Sequence, residues 1–317
     1  MNIKRKIILD CDPGHDDAVA IILAGKNENI DLLGVTVVSG NSSIEKTVLN
    51  ARRVCSVLDL DVPIAQGMGG PMVRERYLST DSCGDVHGES GLDGYDFKEP
   101  TKNIIEKHGV NFIVDTIMNS DTKVTVVATG PLTNVAMAIK MEPKILDNID
   151  EFVIMGGSNA SGNVTASAEF NILAEPEAAH IVFDSGVFVT MMGLDVTRLA
   201  QCTKPVIDRV KTIDNEVSRM FVGLLEFFTQ TQKEVFNWDA PPTHDPTTVA
   251  YLIDPSIFKF IECNVQICLE RGQNDLVYGR TVCDVNHVSG KKVNARVAID
   301  LDFDKFWDLV YESVKLY

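Results

Sequence analysis

Short buried strands alternate with helices from the start of this chain, and that alternation limits the possible folds more than any other feature. Residues 6–9 form an apolar run rich in β-branched side chains that stops at Asp-Pro-Gly, the pattern of a buried strand and a turn. Residues 16–26 show helical spacing, with acids in the first turn where the helix dipole favours them. Strand patterns recur at 32–38, 123–128, 152–155 and 188–192, and helix patterns at 44–58, 131–140 and 175–184. Repeated βα units predict a mostly parallel central sheet with helices on both faces. Sites in such sheets lie beyond the carboxyl ends of the strands. The polar clusters at 10–17, 40–41, 129–130 and 156–171 all follow a predicted strand.

The last third differs. It predicts a long helix at 215–234, a shorter one at 246–253, strands at 260–269, 277–283 and 295–300, and a closing helix at 304–315. With no linker, repeat or low-complexity stretch, 1–317 reads as a single α/β domain with a C-terminal elaboration. Residues 67–96, rich in Gly, Ser and Asp, predict a long loop of the kind that serves as a lid or binding segment.

Charge then narrows the partners. Lys plus Arg total 29 against 45 Asp plus Glu, a net charge of −16, so nucleic acid and anionic membrane surfaces are not expected partners. The seven cysteines are odd in number and form no CxxC pair, which fits scattered reduced thiols in a cytoplasmic protein. The N-terminal apolar run at 7–9 is too short for a signal peptide, and the longest later run, 18–24, is too short to span a bilayer. A soluble cytoplasmic protein is expected.

The segment Asp10-Cys11-Asp12-Pro13-Gly14-His15-Asp16-Asp17 places four carboxylates within eight residues, between a buried strand and a helix. A solvated acidic turn is the simple alternative. At a strand end in a parallel sheet, uncompensated charge is costly, so protons or a cation must intervene. Carboxylates without a nearby Cys/His cluster suit calcium or magnesium. The spacing is not that of an EF-hand, so ligands must come from several strand ends.

The run from Ile7 to Ala18 resembles the amino-terminal signature of the inosine-uridine preferring nucleoside hydrolases. The resemblance extends in order through Gly40-Asn41, His87-Gly88-Glu89 with Gly91-Leu92, and Thr129-Gly130-Pro131-Leu132-Thr133-Asn134. It continues through Met155-Gly156-Gly157, Ala168-Glu169-Phe170-Asn171 and His244-Asp245. It implies a Rossmann-like nucleoside hydrolase fold and calcium-dependent hydrolysis of the N-glycosidic bond of ribonucleosides. One calcium ion would be held by Asp12, Asp17, the main-chain carbonyl of Thr129 and Asp245. Asp12 would also be the general base that deprotonates the attacking water. Asp16, Asn41, Met155, Asn163, Glu169 and Asn171 would contact the ribose. Asp10 would orient its neighbours, and His244 and His87 would protonate or hydrogen-bond the leaving base.

Each assignment has a plainer competitor. Asp16 suits a helix start, Asn163 a turn after Gly162, Glu169 and Asn171 helix capping, and Met155 the core. His15 receives no role. In pyrimidine-preferring relatives a Gln and a Tyr four residues apart approach the base; here the pair is Gln232 and Phe236, on one helix face but without the hydroxyl. The resemblance therefore leans toward uridine and cytidine, with a purine-preferring or nonspecific hydrolase as the alternative. It also implies a homo-oligomer, tetramer or dimer. Two rivals are a non-catalytic calcium-dependent nucleoside-binding protein and a phosphohydrolase of the haloacid dehalogenase type. The second leaves the Asp16-Asp17 pair unexplained.

Overall fold

A computed structural model describes residues 4–75, 84–272 and 275–317. Nine strands form one sheet: β1 (Arg5–Cys11), β2 (Ile30–Val37), β3 (Ile64–Gln66), β4 (Val124–Ala128), β5 (Ile149–Met155), β6 (Val189–Met192), β7 (Phe258–Ile267), β8 (Thr281–Asp284) and β9 (Ala295–Leu301), in the order β3-β2-β1-β4-β5-β6-β9-β7-β8. Neighbours from β3 to β9 run parallel, and β7 is antiparallel to both β9 and β8. The expected parallel sheet is present, and the C-terminal elaboration supplies its far edge.

The central strands are buried on both faces, which is why they read as unbroken apolar runs. On β1, Ile7, Leu9 and Cys11 enter one core while Ile8 enters the other; on β4, Val127 opposes Val124, Val126 and Ala128 in the same way. The helix His15–Lys26 buries every residue from His15 to Ala24 and packs against the helices Pro246–Ile253 and Phe303–Val314. A helix apolar along most of its circumference has nowhere else to go.

Sequence-predicted boundaries shift in places. The helix expected from 131 starts at Thr133, and the strand expected from 277 starts at Thr281, after a turn in which Gly279 takes φ +76°. The expected loop at 67–96 holds a one-turn helix, Gly84–His87. Part of that loop, with Cys83, lies outside the described residues. The six described cysteines are unpaired. Among the described residues, no helix is long and apolar enough to cross a membrane.

The chain reverses its direction of growth at β1. It runs outward through β2 and β3, then returns to place β4 on the other side of β1. The gap beyond the carboxyl ends of β1 and β4 is the switch point where open α/β sheets bind ligands.

Candidate active site

One residue before the end of β1, Asp10 is completely buried; its Oδ1 accepts hydrogen bonds from Thr36 Oγ1 (2.5 Å) and Asn134 Nδ2 (2.8 Å), and its Oδ2 has no partner among the described residues. Burial raises its pKa to about 7 against the pull of those two donors. Asp12, just past the strand, is also fully buried. Its Oδ2 accepts from the Asn41 amide (2.6 Å), and its Oδ1 is unpartnered. Two glycines make room for it: a Cβ on Gly40 would sit 2.1 Å from Asp12 Oδ2, and one on Gly130 would sit 2.4 Å from Oδ1.

Asp17 caps its own helix by accepting from the Gly14 amide (2.9 Å), and it also takes Thr129 Oγ1 (2.8 Å) and Asn41 Nδ2 (3.3 Å). Burial first, then the charge of Asp16, raises it to about 6. Asp16 accepts from the main-chain amide of His244 (3.2 Å). Asp245 opens the helix Pro246–Ile253, and its carboxylate meets those of Asp16 and Asp17. Among the described residues, Asp16, Asp17 and Asp245 each offer a carboxylate oxygen within 4.8 Å of the others. Burial and their mutual repulsion hold Asp12 and Asp245 well above the usual carboxylate range. Buried carboxylates this close need shared protons or a cation. The donor set of Asp16, Asp17 and Asp245, all hard oxygens, fits a divalent ion of the calcium or magnesium kind; Asp12, expected as a ligand, is not among the three and keeps a buried, unpartnered Oδ1.

Above this floor opens a cavity of about 490 Å³. Twelve of the sequence-predicted residues line it: Asp16, Asn41, His87, Thr129, Met155, Asn163, Glu169, Asn171, Gln232, Phe236, His244 and Asp245. Asp12 and Asp17 are not in that lining; both are fully buried.

Several lining residues also carry the plainer roles. Glu169 is the N-cap of the helix Phe170–Ala174 and accepts from the amides of Gly157, Asn171 and Ile172. Burial nonetheless raises it to about 7. Asn163 Oδ1 holds the Phe170 amide (3.0 Å), as a turn residue would. Asn171 Nδ2 donates to the carbonyl of Thr129 (2.7 Å) and to that of Met155 (3.0 Å), so the expected carbonyl ligand is already tethered to a ribose-side residue. Met155 is buried with its sulfur against the same amide. His244 Nδ1 meets Thr197 Oγ1 (2.7 Å), and burial lowers its pKa to about 4.

The far wall is aromatic. The helix Glu216–Phe236 contributes Phe228, Gln232 and Phe236, and Trp238 follows it across Asn237, whose left-handed φ of 57° turns the chain. Gln232 is buried, and its Oε1 has no partner among the described residues. Phe228 and Arg198 line the cavity too, and the sequence reading missed both. Phe228 lies one helical turn before Gln232, a spacing that could have found it. Arg198 arrives on a separate element and binds Ser161 Oγ and the Gly162 carbonyl, so no local signal marks it.

Strand-end carboxylates under a cavity of about 490 Å³ suit a hydrolase of small polar molecules, and similarity to known proteins fixes the class. The inosine-uridine preferring nucleoside hydrolase family model matches residues 7–308, and the chain belongs to that family of hydrolytic enzymes. The chain is 46% identical to the pyrimidine-specific ribonucleoside hydrolase RihB of Shigella sonnei over 314 residues, 99% of this chain and 98% of that protein. RihB of Escherichia coli gives the same figures. Among solved structures, the purine-preferring ribonucleoside hydrolase from Gardnerella vaginalis matches with a TM-score of 0.90 at 28% identity, covering 99% of this chain and 100% of that one.

Proposed function

We propose that this nucleoside hydrolase splits uridine and cytidine to ribose and free base in a calcium-dependent reaction. Two observations carry the reading: the three buried carboxylates of Asp16, Asp17 and Asp245 within 4.8 Å of one another, and the buried Asp12 Oδ1 that has no hydrogen-bond partner among the described residues. Asp12, Asp17, the Thr129 carbonyl and Asp245 would hold the ion, which when bound supplies a fixed positive charge for the ribose diol and the attacking water. Asp12 Oδ2 is occupied by the Asn41 amide, so Oδ1 is the atom that takes the proton from water. Asp16, Asn163, Glu169 and Asn171 offer the directed donors and acceptors that a ribose needs. Fixed hydrogen bonds of this kind assist most where they strengthen as the ribosyl group gains oxocarbenium character. His244, backed by Thr197, serves the leaving base. The preference for pyrimidines is supported by the relatives named pyrimidine-specific and by Gln232 in the wall.

The reading extends to a cytoplasmic homo-oligomer, dimer or tetramer, which sedimentation would check. The deciding experiment is ribose release from uridine, cytidine, inosine and adenosine, as a kcat/KM panel with a metal-stripped control. Calcium-dependent release confined to the first two is the expected result. Release led by inosine would overturn the base preference. Ion binding and nucleoside binding without release from any of the four would overturn the catalytic reading in favour of a binding protein.

A further inference from the structure

His15, left without a role by the sequence, is completely buried behind the wall of the cavity. Its ring stacks on Phe228 (5.1 Å between centroids) and Phe227 (5.6 Å), and its centroid lies 5.2 Å from that of His87. Both of its nitrogens are engaged. Nε2 lies 2.8 Å from the main-chain carbonyl of Asp93, and Nδ1 lies 3.0 Å from Nδ1 of His87.

These two contacts assign the hydrogens. A carbonyl oxygen only accepts, so His15 Nε2 carries the N–H. Enclosed among aromatic faces, with no carboxylate among the described residues hydrogen-bonded to its ring, His15 is the neutral imidazole. A neutral imidazole has one N–H, so His15 Nδ1 is a bare acceptor. The contact to His87 then requires a hydrogen on His87 Nδ1. His87 is buried as well, and burial favours its neutral form, so Nε2, which has no hydrogen-bond partner among the described residues, is left as a lone pair on a ring that lines the cavity.

The anchor of this chain is itself built. The Asp93 carboxylate gathers the amides of Glu89 (2.8 Å) and Ser90 (3.2 Å) and the Ser90 hydroxyl (2.5 Å) into a tight turn. Gly88 permits it: φ is +78°, and a Cβ there would lie 2.2 Å from Asp93 Oδ2. The segment from His87 to Asp93 therefore carries the histidine that faces the cavity and also the carbonyl that orients the histidine behind it.

We propose that His15 is a positioning residue that locks His87 in the Nδ1–H tautomer, so that His87 presents a hydrogen-bond acceptor to the nucleobase and reads an N–H edge. This rests on the nucleobase occupying the His87 end of the cavity, as the proposed function has it. Uracil offers such an edge at N3 and cytosine at its amino group. The N7 of a purine is an acceptor and gains nothing from a bare Nε2. A base held through its own N–H is bound, not helped to leave. His87 therefore acts on substrate choice and KM, and leaving-group assistance falls to His244.

The test is a long-range 15N–1H correlation spectrum of the full-length, ion-loaded protein labelled with 15N-histidine, at neutral pH. The His87 signals are those lost in His87→Gln. The expected result is a protonated, pyrrole-type Nδ1 and a bare, pyridine-type Nε2. In His15→Phe, which keeps the ring stack and deletes the acceptor, the proton should move to Nε2. A wild-type His87 protonated at Nε2, or a tautomer unmoved in His15→Phe, overturns the proposal. If that variant does not fold, the wild-type spectrum decides alone. With uridine, and with ion content measured, His15→Phe should raise KM roughly tenfold, the worth of one hydrogen bond, and leave kcat nearly unchanged. A fall in kcat at constant KM overturns the acceptor role. Because the spectrum reads no turnover, failure of the hydrolase reading itself would show separately, as folded protein with the expected tautomer and no ribose released.

Discussion

At the floor of the cavity Asp10, Asp12 and Asp17 are completely buried, each pinned by neighbours on the strand ends, whereas at the opposite wall Phe236 and Trp238 remain 49% and 37% exposed. The floor hangs on β1 and its links to β4, held on both sides by parallel ladders. The wall hangs on the last turn of one helix and a left-handed residue beyond it. Chemistry that needs a fixed geometry sits on the sheet. Base recognition, which must fit a variable ring, is proposed to sit where the backbone has fewer restraints.

The largest expected effect lies in the floor. Asp12→Asn keeps the shape, removes the proposed base, and should lower kcat/KM by about 10²–10⁴-fold. Near-normal turnover would sink the role given to Asp12 and erase the contrast between floor and wall. Asp245→Ala should abolish ion binding; retained stoichiometric calcium would refute its place in the site.

Next is removal of the ion by chelation. The floor carboxylates then have folded pKa values above their unfolded ones, which means that the folded state binds protons more tightly. The floor's contribution to the stability of the stripped protein should therefore be fully present below about pH 4 and be lost as pH rises through the folded values, about 6 for Asp17. Calcium at about 100 times its Kd should restore about 2.7 kcal/mol of stability. A stripped protein whose Tm is flat from pH 4 to 7 would remove the electrostatic argument for the site.

Asn134→Leu leaves Asp10 Oδ1 with only Thr36 as donor, and should cost about 1–3 kcal/mol in denaturant unfolding. The smallest effects belong to the wall. Trp238→Ala and Phe236→Tyr should leave Tm in place and change KM by less than about tenfold, with the ratio between uridine and inosine moving more than kcat does. A large loss of Tm in either variant would show that the wall is as integral as the floor.

The floor was legible because its residues are consecutive and of one type: no ordinary turn clusters Asp10, Asp12, Asp16 and Asp17 after a buried strand. The parallel sheet was legible because strands buried on both faces leave unbroken apolar runs. Other parts carried weaker signals. The strand Ile64–Gln66 has three residues, and the helix Gly109–Met118 starts at His108, whose ring accepts from Val110 in place of an ordinary capping side chain. His15 was opaque for a different reason. Its partners, His87 and Asp93, lie 72 and 78 positions away, and only the tertiary fold brings a histidine pair together.

The carboxylate of Asp16 takes the His244 amide across 228 positions of sequence. An ion held, as proposed, by Asp12, Asp17, the Thr129 carbonyl and Asp245 would therefore work as a clasp between the first helix and a helix formed only after three quarters of the chain has been laid down. No fragment ending before Asp245 could assemble it. Ion affinity would report completion of the fold, and closing so long a loop gives the clasp more leverage over the unfolded ensemble than a local turn could have. Withdrawing the ion would loosen first the seam where the helix Pro246–Ile253 meets the helix His15–Lys26, so backbone amides along that seam should exchange hydrogen sooner than those at the centre of β1 and β4.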